Sequence, residues 1–311
     1  ENMPRILTTG GYFAYIKIAE GCDSHCSYCI IPKLRGKYRS RPRQSIIAEA
    51  TKLVEDGVTE IILVAQNTTF YGSDIGDSLA NLLRDLSSID GLEWIRILYC
   101  YPEHITDELI EEIKTNPKVC NYLDMPIQHS CDKILKLMNR KSSNKFLRDL
   151  IAKLRANIPH IMIRSTLIVG FPGETEEDFQ DLIQFINDIK FDRLGVFTYS
   201  NEEGTPSAKL PNQIPQHIKE SRKDVIMKIQ QEISKELCAQ KIGQVFRVII
   251  EGKLEQEDVY IGRTYGDAPV VDSKVFVEYD GDLICGDFIS VKIIQADEYD
   301  LIGKVIYEYC E

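Results

Sequence analysis

Three thiols sit within eight residues in Cys22-Asp23-Ser24-His25-Cys26-Ser27-Tyr28-Cys29, with three residues between the first pair and two between the second. A loop of that length can wrap one inorganic centre. On a four-iron cluster, three thiolates leave one iron without a protein ligand, and an open iron is where a substrate or cofactor binds. A structural zinc site is the competing reading, closed by His25 or a distant residue, because such sites usually hold four ligands. Zinc ligands tend to come as two CxxC-like pairs, and the chain has no second pair; His25 also lies between Cys22 and Cys26, where simultaneous ligation would be strained. A disulfide is weaker still, since three cysteines this close serve a metal better than a bridge.

Such a loop needs support on both sides. Residues 12–18 read as a strand that runs directly into it. Beyond it, Ile46, Ile47, Ala50, Leu53 and Val54 fall on one helical face, Gly57 ends that helix, and residues 60–65 form an apolar, β-branched strand. The rhythm then repeats. Helix is expected over 79–86, from a Thr106 cap to 113, over 132–138, 145–157 and 176–189; strands are expected over 94–98, 122–127, 161–169 and 194–199. Strands alternating with helices imply parallel pairing and right-handed crossovers. Runs such as Ile61-Ile62-Leu63-Val64 suit a sheet buried on both faces. The fold class is therefore α/β, a partial (β/α)6 TIM-like barrel whose chemistry belongs at the C-terminal strand ends. The cysteine loop leaves such an end.

Pro211 and Pro215 bracket a connection to a long amphipathic helix over 217–241. Short alternating strands follow at 245–250, 275–277, 288–294 and 303–307, broken by Gly-Asp turns. That pattern predicts a small C-terminal antiparallel β-barrel of about five strands. The expected organisation is a linker over 1–11, an α/β domain over 12–240 and a small β-barrel domain over 241–311.

Composition narrows the class. Hydrophobic content of 43% and charged content of 27% over 311 residues describe an ordinary globular protein. No run of 18 apolar residues exists and no secretory leader is visible, so a cytoplasmic protein with no membrane partner is expected. The six cysteines outside the loop read as reduced, mostly buried thiols. The net charge of −11 argues against a general nucleic-acid binder, and −8 of it falls in residues 240–311. By contrast, residues 33–43 hold six basic residues and no acidic one. They read either as a solvated loop or as a lure for an anionic or carboxylate-bearing partner beside the cysteines.

The Cx3CxΦC spacing, with Tyr28 as the aromatic residue, identifies the chain as similar to the radical S-adenosylmethionine (SAM) enzymes. Glu20-Gly21-Cys22, Arg35-Gly36, Ser40-Arg41-Pro42, Gln66-Asn67, Ile168-Val169-Gly170-Phe171-Pro172-Gly173-Glu174-Thr175 and Gly262-Arg263-Thr264 make it resemble the methylthiotransferases of that superfamily, with a TRAM-like terminal barrel. Two branches compete: one modifies a tRNA adenosine, the other an aspartate of a small-subunit ribosomal protein. Tyr99-Cys100-Tyr101-Pro102, the stretch from Tyr122 to His129, the stretch from Arg193 to Ser200 and Tyr265-Gly266-Asp267-Ala268-Pro269 resemble the ribosomal-protein branch. Charge agrees, because an acidic barrel repels phosphates and attracts a basic ribosomal protein.

The resemblance implies a [4Fe-4S] cluster on Cys22, Cys26 and Cys29, and SAM beside it. It also implies an electron donor such as flavodoxin or ferredoxin. A sulfonium split by one electron would give a 5′-deoxyadenosyl radical, which takes hydrogen from the aspartate β-carbon; a second SAM supplies the methyl group. By position, Tyr28 would lie near the adenine and Gln66 and Asn67 at the methionyl amino group. Gln128 and Arg164 are candidates for the carboxylate or ribose, Asp124 is a weaker one, and Gly170, Gly173 and Glu174 could approach the ribose. The family also carries three further cysteines for an auxiliary [4Fe-4S] cluster in an N-terminal domain that residues 1–21 do not supply. This sequence, which begins at Glu1, is thus expected to be part of a longer protein. It should cleave SAM once loaded with iron and sulfide but should not complete methylthiolation alone. Anaerobic turnover tests this: methylthio product from this chain by itself would refute the expected division of labour.

Overall fold

The computed structural model describes residues 7 and 9–306 except 256. The expected linker over 1–11, Cys310 and the end of the expected strand at 303–307 lie partly or wholly outside that range. The chain opens with β1 (Phe13–Lys17) and a short β2 (Ala19–Glu20), then α1 (Ile31–Arg35) and β3 (Arg39–Ser40). Helix and strand then alternate: α2 (Arg43–Glu55), β4 (Glu60–Val64), α3 (Leu79–Ser87), β5 (Trp94–Ile97), α4 (Asp107–Thr115) and β6 (Val119–Asp124). Two helices, α5 (Asp132–Leu137) and α6 (Asn144–Asn157), lead to β7 (Met162–Val169), followed by α7 (Glu176–Ile189) and β8 (Arg193–Thr198).

Side-chain caps set the helix starts. Thr106 accepts from the Leu109 amide and Ser143 from Phe146, while Thr175 and Asp178 form a reciprocal capping box. The strands form one parallel sheet in the order β1-β4-β5-β6-β7-β8, with β1 and β8 left as edges, so the barrel is partial. Ala14, Ile16, Ile61 and Leu63 face the helices in the main core; Phe13, Tyr15, Ile62 and Val64 alternate onto the inner face. Strand β6 differs from the expected 122–127. It starts at Val119 and leaves the regular ladder after Asp124, where Pro126 has no N–H to offer. The chain then touches β7 again at the Gln128–Leu167 bridge.

Helix α8 (Gln216–Ala239) carries the chain to β9 (Val245–Lys253), β10 (Val259–Thr264), β11 (Val275–Glu278), β12 (Phe288–Ala296) and β13 (Leu301–Val305). These close into a barrel in the order β10-β11-β13-β12-β9. Four of its pairings are antiparallel and β11–β13 is parallel. A ring with an odd number of strands cannot alternate direction all the way round, so one parallel seam is unavoidable.

The small barrel packs against the inner face of the large sheet, where Ile249, Phe288, Tyr265 and Ala268 join Phe13, Trp94 and Tyr122. Charge locks this contact. Glu60, fully buried on β4, accepts from Arg96 Nε at 2.8 Å and from Arg263 Nη2 at 2.5 Å, and both arginines are equally dry. Arg96 also donates to the Tyr265 carbonyl at 2.6 Å, and Arg193 Nη2 meets Asp267 at 2.6 Å. Burial alone would push the Glu60 carboxyl up, yet the Arg263 and Arg96 charges hold it below the usual range. Its folded value being depressed, the lock contributes stability above the range where a free glutamate ionises. That contribution is lost as pH falls through the folded value.

Removing one member of a buried ion pair leaves its partner uncompensated, so Arg263→Met should cost about 3–5 kcal/mol in chemical denaturation. Replacing Glu60, Arg96 and Arg263 together by apolar residues of similar volume should restore most of that loss. A single substitution costing under about 1 kcal/mol would show that the charges do not lock the contact.

Candidate functional site

The cysteine loop leaves β1 at the C-terminal edge of the sheet and is tied down at both ends. At its start, β2 pairs with β3, and the Cys22 amide donates to the Gly36 carbonyl at 3.2 Å. Gly21 between them has φ +85°, and a Cβ there would stand 2.2 Å from the Lys37 carbonyl oxygen, so no side chain fits. The Tyr38 amide donates to Asp23 at 3.2 Å. At the far end, Ser27 donates through its amide to the Met138 carbonyl at 2.9 Å and through its hydroxyl to Leu137 at 2.7 Å. Its own carbonyl accepts from Ser207 at 2.9 Å. The loop is therefore gripped by the end of α5 and by the segment after β8.

Within that grip, Cys22, Cys26 and Cys29 all open onto one cavity of about 430 Å³. Its remaining lining includes Tyr28, Gln66, Tyr99, Tyr101, Gln128 and Arg140, and it sits over the ends of β1, β4 and β5. Each sulfur is a free thiol. The Cys26 Sγ lies 2.5 Å from the Tyr101 hydroxyl, and the Ser24 amide donates to Cys22 Sγ at 3.5 Å. Burial first, and then the neighbouring Cys26 and Cys22, push the Cys29 thiol up. Burial likewise pushes up the Tyr28 phenol, with the Cys26 sulfur adding to it. Among the described residues, no three His, Cys, Asp or Glu side chains are gathered tightly enough for a single metal ion. A four-iron cluster makes a different demand, one thiolate on each of three irons around a shared space.

Gln66 brings its side chain into the cavity with a buried Oε1 that has no hydrogen-bond partner. Gln128 has a left-handed backbone, φ 70°, and both its amide and carbonyl are bonded to β7, to Thr166 and Ile168. Its side chain lines the cavity beside Pro126.

Two expected residues lie elsewhere. Asn67 follows Gln66 but points the opposite way; its amide contacts His104 Nδ1 at 2.9 Å and accepts from the Thr69 hydroxyl at 3.0 Å. It lines a separate pocket of about 190 Å³ with Phe70 and His104. Arg164 is the third residue of β7, far below the strand's end, and pairs with Asp124 at 2.8 Å and Asp272 at 3.4 Å. Asp124 in turn accepts the Tyr99 amide at 3.1 Å. Both are structural supports here. The Glu174 carboxylate is fully buried, accepting from the Gly170 and Phe171 amides at 2.8 and 3.2 Å and from Arg222 at 2.7 Å. It organises its loop, and neither Gly170 nor Gly173 lines the cavity.

Sequence reasoning missed Tyr101 and Arg140. The Arg140 guanidinium lies 3.9 Å over the Tyr101 ring and donates to the Pro126 carbonyl at 3.1 Å, bracing the phenol that meets Cys26. Both come from loops with no periodic signal. Lys17 was also missed, though alternation along β1 places it on the inner face with Phe13 and Tyr15.

Residues 16–186 match the radical SAM superfamily and residues 242–306 match the TRAM domain. The chain is 53% identical to the ribosomal protein uS12 methylthiotransferase RimO of Clostridioides difficile, over 99% of this chain and 70% of that protein. It is equally similar, at 53%, to the RimO of Clostridium acetobutylicum, over 98% and 68%. Among solved structures, methylornithine synthase (PylB) shares the fold with TM-score 0.52 and 14% identity, over 71% of this chain and 62% of that one. The radical SAM methyltransferase TsrM from Kitasatospora setae, with cobalamin and a [4Fe-4S] cluster bound, gives 0.50 and 16%, over 76% and 42%.

The grip at Gly21 can be tested against Gly11, which shares φ +85° but has open space around it. Gly21→Ala should cost about 2 kcal/mol or more and lower the iron retained after anaerobic loading, whereas Gly11→Ala should cost about 1 kcal/mol. Equal losses in thermal denaturation and iron content would show that the close approach at Gly21 does not matter.

Proposed function

Because the chain belongs to the radical SAM superfamily and, within it, to the RimO methylthiotransferases, we propose that it modifies ribosomal protein uS12, placing a methylthio group on the β-carbon of an aspartate. The observation that carries this reading is the convergence, at the C-terminal strand ends, of three thiols from one loop and the unpaired Gln66 carbonyl on a single cavity. The donor set fits the cofactors. Cys22, Cys26 and Cys29 would hold a [4Fe-4S] cluster, and Gln66 offers an acceptor suited to the ammonium of SAM. Tyr28 and Gln128 would bound the rest of that molecule. When bound, the two supply a carbon radical able to take hydrogen from a C–H bond that no side-chain base can ionise.

The chain's own residues do the positioning. The Tyr101 hydroxyl and Ser24 amide would donate to thiolate sulfurs and spread their negative charge. Arg140 keeps Tyr101 in place from behind. Val64 and Ala65 add apolar surface to the cavity lining. Lys33, Arg35, Lys37 and Arg39 are exposed beside the loop. They suit the approach of an acidic one-electron donor such as flavodoxin or ferredoxin. The acidity of residues 240–311 favours a basic ribosomal protein over the phosphates of tRNA. Such a reaction belongs in the cytoplasm, where ribosomes are assembled.

Anaerobic loading with iron and sulfide, followed by reduction in the presence of SAM, tests the reading. The wild-type chain should take up about four irons and release 5′-deoxyadenosine. Cys26→Ala should lose both, and Gln66→Ala should weaken SAM binding about tenfold. One zinc per chain with no 5′-deoxyadenosine would contradict it.

A further inference from the structure

Among the described residues that line the cavity, the only lysine and arginine are Lys17 and Arg140. Arg140 is buried and engaged with Tyr101, Pro126 and, at 3.7 Å, Glu103. Lys17 is different. It ends β1 on the inner face of the sheet, and its side chain is 55% exposed. Its ammonium is held by Glu20 Oε2 at 2.5 Å. The other Glu20 oxygen is buried with no hydrogen-bond partner, 3.8 Å from Arg35 Nε. A carboxylate on the rim thus already marks what this ammonium binds. A second carboxylate arriving through the cavity can take Lys17 while Glu20 leans on Arg35. The exchange replaces like with like and strands no charge.

We propose that Lys17 is a specificity-determining residue that binds the side-chain carboxylate of the target aspartate. The proposal rests on the uS12 reading above. An aspartate's β-carbon is bonded directly to its carboxyl carbon, so anchoring the carboxylate on Lys17 at the end of β1 holds the β-carbon one bond from that anchor, at the cavity. Neighbouring side chains offer no equal: Gln66, Gln128 and Tyr99 are neutral, and an asparagine would leave the ammonium without its counter-charge. The methionyl carboxylate of SAM carries the same chemistry, and the test separates the two.

Two synthetic peptides of the uS12 loop serve as probes, one with the modified aspartate and one with asparagine in its place. Their affinities for the protein without added iron are measured by calorimetry. In the iron-loaded enzyme, transfer of deuterium from their β-carbons into 5′-deoxyadenosine gives kcat/KM. The wild-type protein should favour the aspartate peptide by about tenfold or more in both assays, the range of a charged hydrogen bond at a half-exposed site. Lys17→Met should bring that ratio close to one, mainly through KM, and Lys17→Arg should keep most of it. Glu20→Gln, which releases Lys17, should tighten the aspartate peptide. Undiminished discrimination in Lys17→Met overturns the proposal. So does loss of SAM affinity in Lys17→Met with discrimination intact, which assigns the ammonium to the methionyl carboxylate. A wild-type enzyme that neither binds nor deuterates from either peptide overturns the uS12 reading itself.

Discussion

Glu60 holds two guanidinium groups in a place no water reaches, and the assembly of the molecule depends on that carboxylate. A six-stranded sheet that does not close has an inner face with nothing to fill it. Packing alone would allow the small barrel to slide over that face; a buried charge with fixed partners does not. Arg96 comes from the sheet and Arg263 from the small barrel, so Glu60 is satisfied only when the two are in register. Buried ion pairs are poor sources of net stability but strong sources of specificity, since any misplacement leaves a charge uncompensated. Asp267 with Arg193, and Asp272 with Tyr122 and Arg164, repeat the device along the same contact.

That contact reaches the cavity. Asp272 of the small-barrel segment touches Arg164, Arg164 holds Asp124, and Asp124 receives the amide of Tyr99, whose φ of 59° is strained for a residue with a side chain. Tyr99 lines the cavity. The small barrel therefore supports the wall of the site in addition to presenting its own acidic surface. The other walls hang from strand ends and from the grip on the cysteine loop, so thiols, amide and ammonium from separate elements line one cavity.

The sequence announced the alternation of helix and strand because apolar runs such as Ile61-Ile62-Leu63-Val64 have one physical reading, and Thr106 caps the helix it was expected to cap. The cysteine loop was legible for the same reason: its chemistry is local. What stayed hidden depended on distance or on height. Glu60 and Arg96 look like the polar ends of strands until Arg263, 203 residues from Glu60, is in view. Gln66 and Asn67 are equivalent on paper, and only the turn after β4 decides which one faces the cavity. Arg164 sits on the inner face that alternation predicts, yet too low on β7 to reach the site. The small antiparallel barrel was legible too, but not its one parallel seam, β11–β13, because strand count is a property of the closed ring and not of any local pattern.

The central claim is that three thiolates from one loop leave an iron corner free for SAM. Electron paramagnetic resonance of the reduced, iron-loaded protein tests it most directly. Adding SAM should change the g-values of the reduced cluster, as a new ligand on one iron requires. A reduced cluster whose spectrum is the same with and without SAM would contradict the account.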